Sequence, residues 1–128
     1  MRTFIRSVIF VVGIAVLVFG VIFIVQSGSA KQQVADSIAP LPLSQVNSTY
    51  DSVTEQQKAI MAAEEPNIKA GTAAPSAMYN YLTIQRTSLG LAKSNIGLAN
   101  IILTMGIVDI VLGIGMVLTA GLIPSRKQ

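Results

Sequence analysis

The chain contains no cysteine and no histidine. The first absence excludes disulfides, thiolate nucleophiles, iron–sulfur ligation and cysteine-based zinc sites, and it leaves the redox compartment open. The second removes the commonest metal ligand and general base, and with it every Ser-His-Asp or Cys-His arrangement. Charge is scarce as well: Asp, Glu, Lys and Arg together make up 12% of 128 residues, against a mean hydropathy of +0.62. An ordinary water-soluble domain carries about twice that share of charge. These shortages define an integral membrane protein with no expected catalytic residues, cofactor or metal, and no nucleic-acid partner.

What is present is concentrated in two apolar blocks. Ser7 to Val25 is a run of nineteen residues without a charge. At about 1.5 Å per residue it reaches roughly 28 Å, the thickness of a hydrocarbon core. Arg2 and Arg6 ahead of it and Ser27-Gly28-Ser29-Ala30 behind it match a cleavable secretory signal. The run is longer than the 7–15 apolar residues usual in a signal core, so an uncleaved anchor is expected. The second block extends from about Ile96 to Ile123, with Pro124 as its stop and Arg126 and Lys127 as a charged anchor.

The fold class expected is therefore an all-α integral membrane protein, a two-transmembrane-helix antiparallel hairpin with a roughly 70-residue, partly helical extracytoplasmic loop. Its segments are an N-terminus at 1–6, a first span at 7–26, the loop at 27–93, a second span at 94–123 and a tail at 124–128. Two spans put both termini on one side of a cell membrane. The flanking cations assign that side to the cytoplasm, since charges in a long loop count for less.

Within the loop, Ser52 and Glu55 form an S-x-x-E capping box ahead of a helix at about 52–65, which Pro66 is expected to end. Pro40 and Pro42 close any continuation of the first span through Ile38, and 70–75 reads as a linker. From Ser76 to Pro124 there is no proline, so the second span is expected to be one end of a single long helix beginning near 76. Gly90 and Gly97 are its weak points.

Along that helix Ala92, Ala99, Gly106, Gly113 and Ala120 recur every seven residues, and in the first span Gly13 and Gly20 repeat the spacing. Small residues let membrane helices approach closely, so this row predicts a helix-packing and partner interface. An antiparallel pairing sets Gly13 level with Gly113 and Gly20 level with Gly106. The period of seven predicts left-handed packing near +20°.

Asp109 is the single charge between Ser94 and Pro124. It follows Gly106 by three residues and precedes Gly113 by four, which puts it on or beside the small-residue face. A central Asp costs about 2.5–3.5 kcal/mol on insertion scales, and the thirteen Leu, Ile and Val residues between Ile101 and Ile123 return about 5 kcal/mol. The span therefore inserts with its acid. Thr104 and Thr119 are more than a turn away, and the first span offers no polar residue at that depth.

A carboxylate in the second of two short spans resembles the rotor subunit of ATP synthases. That family has a short polar loop and a dense glycine repeat in its first helix; here the loop is about seventy residues long and only Gly13 and Gly20 occur in the first span. Arg86 and Lys93, seven residues apart just outside the second span, are expected to anchor lipid phosphate or a partner. Glu64 and Glu65 are expected to be a solvated helix end, and Asn47-Ser48-Thr49 matches a glycosylation sequon. The function expected is a non-catalytic accessory subunit of a larger integral-membrane complex, in contact with other membrane subunits and with lipids, docked through the small-residue face and Asp109. The alternatives are a homo-oligomeric pore or holin-like protein, and a subunit that relays protons or cations through Asp109.

Overall fold

The computed structural model describes residues 2–123. It is all-helical, with no strand among the described residues. Helix α1 runs Arg2–Ile38, a short 3₁₀ turn occupies Leu43–Gln45, α2 runs Val46–Lys69 and α3 runs Ala77–Leu122. Both α1, at 37 residues, and α3, at 46, are long and apolar enough to cross a membrane. At 1.5 Å per residue they extend about 55 Å and 69 Å, roughly twice a hydrocarbon core. Pro124, Arg126 and Lys127, the expected stop and anchor of the second span, lie outside the described residues.

The chain divides into two compact units. One joins the chain up to Lys31 with the chain from Leu98 onward; the other is Gln32–Gly97. In the first unit the buried positions are Gly13, Gly20 and Ser27 on α1, and Ala99, Gly106, Gly113 and Ala120 on α3, all seven apart along their own helix. Most of the large apolar side chains stay exposed, among them Phe4, Phe19, Val111 and Leu118. In water that distribution would be untenable; in hydrocarbon it costs nothing.

Backbone approach explains the glycines. A Cβ added at Gly20 would stand 2.8 Å from the Gly106 carbonyl oxygen, and one at Gly106 would stand 2.8 Å from the Gly20 oxygen. At Gly113 it would meet Leu17 Cγ at 2.6 Å and the Gly13 oxygen at 2.8 Å. Any side chain larger than hydrogen would therefore push the backbones apart. Gly115, two residues on, has nothing within 4 Å of the same construction.

The second unit packs α2 against residues from both long helices. Val34, Val46 and Ala92 form one buried cluster, supported by Ile38, Leu41, Leu43 and Ile96. Val53, Leu82 and Leu89 form another, with Tyr50 and Ile60 beside them. Helix α2 is longer than the capping box predicts, at both ends. Val46 is 1% exposed, so the helix starts where that side chain docks rather than at Ser52. Ser52 and Glu55 are spent on Gln56 and Lys58 along the surface.

At the other end Pro66 lies inside the last turn and does not stop the helix. The stop is Gly71, at φ +70°, which closes a Schellman motif. Its N–H donates to the Ile68 carbonyl at 3.0 Å and the Thr72 N–H to the Asn67 carbonyl at 3.0 Å. Proline forbids only its own hydrogen bond, whereas the reversal of the chain needs a residue without Cβ strain.

The start of α3 is capped from outside the helix. Ser76 Oγ accepts from the Tyr79 N–H at 3.0 Å, the usual N-cap bond. The Ser76 N–H and hydroxyl both donate to the Glu64 carboxylate, at 2.9 and 2.6 Å. Glu64, from α2, thus takes the part that an acid three residues into the helix plays in a capping box. It is a cap and not a free solvated end.

Two outcomes follow from these contacts. Gly113→Leu is expected to lower the stability of the α1–α3 pair by about 1–3 kcal/mol, the cost of overpacking, while Gly115→Leu leaves it within about 0.5 kcal/mol; thermal melts in detergent distinguish them. The bonds from Ser76 hold the Glu64 carboxyl below its ordinary range. A depressed carboxylate contributes stability that is complete above its unfolded pKa and is lost as pH falls through the folded one. The hydrogen-exchange protection factor of the Tyr79 amide, taken relative to the unstructured rate at the same pH, is therefore expected to fall on acidification, and Glu64→Gln is expected to remove that acid-dependent step.

Candidate functional site

Asp109 lies in the first unit, on the shoulder of the glycine row of α3. Helical geometry turns it about 60° to one side of Gly106 and turns Ile110 about 40° to the other. Ile110 packs over Gly20, where its Cγ1 and N would stand 2.8 and 3.0 Å from an added Cβ. The Asp109 shoulder repeats at Ile102 and Met116, so the acid occupies a seam-edge position otherwise held by apolar side chains. It is half-buried, and among the described residues it makes no side-chain hydrogen bond or ion pair.

Its nearest polar candidates on α3 are engaged elsewhere. The Thr104 hydroxyl donates to the Asn100 carbonyl at 3.0 Å and the Thr119 hydroxyl to the Gly115 carbonyl at 2.8 Å. Both hydroxyls bond back to their own helix, as those of Thr83 and Thr87 do. The carboxylate is left facing whatever flanks that shoulder.

The small residues named from sequence are accounted for within the chain. Gly13, Gly20, Gly106 and Gly113 face one another across the α1–α3 contact. Ala99 and Ala120 are each 1% exposed, and Ala92 is buried with Val34 and Val46 in the second unit. The row is occupied by the chain itself, so it offers no open face to a partner.

One residue of this contact is invisible to the composition argument. Ser27 is 1% exposed, and its hydroxyl donates to the Ala99 carbonyl at 2.7 Å, the polar bond between α1 and α3. In sequence it resembles part of a signal cleavage site. The indication of its place is its position seven residues after Gly20, in line with the glycines.

Arg86 and Lys93 lie in the second unit, where their side chains turn to α2. Arg86 donates to the Gln57 amide oxygen at 2.9 Å, and the Gln57 amide nitrogen donates to Thr83 Oγ1 at 3.0 Å. Lys93 Nζ stands 5.0 Å from the centroid of the Tyr50 ring. The Tyr50 hydroxyl is held below its ordinary range, chiefly by hydrogen bonding and charge from Arg86, with smaller contributions from Thr54 and Lys93. Arg86 is therefore committed to a buried glutamine rather than extended toward a headgroup. Asn47 of the sequon is exposed in the first turn of α2.

Compared with known proteins, the chain matches no protein-family model, no curated protein and no solved structure.

Replacing Ser27 by Ala is expected to destabilise the α1–α3 contact by about 0.5–1.5 kcal/mol, because the Ala99 carbonyl loses its buried donor. Ser27→Thr, which retains a hydroxyl but adds a methyl group to a fully buried site, is expected to be no better than Ala. Chemical denaturation in mixed micelles checks both.

Proposed function

We propose that this protein is a non-catalytic accessory subunit of a larger integral-membrane complex. In this reading α1 and α3 cross the cell membrane as an antiparallel hairpin, with the residues between the spans outside the cytoplasm and both termini within it. Other membrane-embedded subunits dock on the Asp109 shoulder of α3. The observation that supports the assignment is a half-buried carboxyl group, at the middle of the apolar part of α3, that finds no partner among the described residues. Acids at such depth face bundle interiors, cavities or relays, because hydrocarbon offers them no hydrogen bond.

The glycine row contributes indirectly. It fixes the rotation of α3 about its axis by holding Gly106 and Gly113 against α1, and so fixes the direction in which Asp109 leaves the seam. The docking surface is then the acid and the exposed apolar residues beside it, rather than the small residues themselves.

Mild-detergent affinity purification with mass spectrometry tests this. Wild type is expected to recover other integral-membrane polypeptides. Asp109→Asn, which preserves hydrogen bonding, is expected to recover them equally. Asp109→Leu is expected to lose roughly tenfold, the equivalent of one interhelical hydrogen bond of about 1–2 kcal/mol. Recovery of a detergent-stable ring of this chain alone, or an intact complex that Asp109→Asn inactivates, overturns the proposal in favour of a pore or a relay.

A further inference from the structure

Near the start of α1 the two long helices leave a groove of about 530 Å³, lined by Arg6, Ser7, Phe10, Val11, Val117 and Gly121. Every residue of it belongs to the first unit. Its lining is apolar apart from one cation and one hydroxyl, both at the same end. Gly121 lines the groove, and a Cβ built there meets nothing within 4 Å, so the position has room for a side chain.

Arg6 is half-buried and forms no ion pair among the described residues. The chain does not supply an acid nearby in sequence: the first is Asp36, and none follows Asp109. A partly buried guanidinium beside an apolar trough complements a molecule with an anion at one end and hydrocarbon at the other. A free anion would meet Arg6 and leave the trough unfilled. A neutral lipid would fill the trough and leave the cation without a counter-charge.

We propose that this groove binds one anionic phospholipid, its phosphate on Arg6 and Ser7 and an acyl chain along Phe10, Val11 and Val117. The site rests on the membrane-spanning reading of α1 and α3, but not on the docking role of Asp109.

The test is native mass spectrometry of the purified chain from micelles containing equal phosphatidylglycerol and phosphatidylcholine. Wild type is expected to retain phosphatidylglycerol about fivefold over phosphatidylcholine, the preference that one well-placed arginine confers. Arg6→Lys is expected to keep the preference and Arg6→Gln to abolish it. Gly121→Phe, which fills the groove without meeting a neighbouring atom at its Cβ, is expected to lose both lipids. Equal retention of the two lipids by wild type, or displacement of phosphatidylglycerol by millimolar inorganic phosphate, overturns the inference. Alkaline carbonate extraction of membranes separates the two layers of the argument: release of the chain overturns the spanning reading and the lipid site together, whereas a chain that stays in the pellet but shows no lipid preference overturns the lipid site alone.

Discussion

The close approach of two helix backbones at Gly13, Gly20, Gly106 and Gly113 is the constraint on which the first unit rests. In lipid, burying a leucine between helices yields little, because the tails it leaves are as apolar as the neighbours it gains. What remains is dispersion between closely spaced atoms, and that falls off steeply with separation. Glycine at every second turn removes the groups that would hold the backbones apart. Leu17, Ile24, Ile110 and Val117 then lie across the facing helix and make the contact area that glycine cannot. The bond from Ser27 to Ala99 adds a directional interaction to the non-directional contact of these side chains.

The second unit works by different physics. Its clusters of valine, leucine and alanine are small, and polar bonds share the load: Glu64 on Ser76, and Gln57 between Thr83 and Arg86. That difference follows composition. Between Gln32 and Gly97 the chain is rich in Ala, Ser, Gln and Thr, which bury little apolar area but supply donors and acceptors. Lys93 over Tyr50 and the salt bridges from Lys58 and Lys69 belong to the same economy of modest contacts.

Much of this was legible in the sequence, and for a physical reason: small residues seven apart in two apolar segments admit a few registers one heptad apart, and the register that sets glycine against glycine at both places, Gly13 with Gly113 and Gly20 with Gly106, is the one observed. The shoulder position of Asp109 follows likewise from its offsets of three and four. The ends of α2 were not legible. Capping motifs and proline are local signals, while Val46 docks on residues distant in sequence and Gly71 stops the helix through a backbone shape shared by many glycines. Ser27 was hidden because a serine among small residues after an apolar run reads as part of a signal cleavage site, and only the register shows its hydroxyl level with a carbonyl. The turn of Arg86 toward Gln57 was hidden because an arginine beside a span has two places to go, and sequence spacing does not choose between them.

Gln57 carries a consequence for how α2 is set. The residue is 5% exposed and its amide is used at both ends, the nitrogen donating to Thr83 and the oxygen accepting from Arg86, three residues apart on α3. An apolar side chain tolerates small rotations of a helix, since one methyl contact replaces another. A primary amide held by a donor and an acceptor does not. Turning α2 by a single residue, about 100°, would strand both halves of the amide in a dry place, so a lone glutamine selects one azimuth for a helix whose greasy contacts alone would accept several.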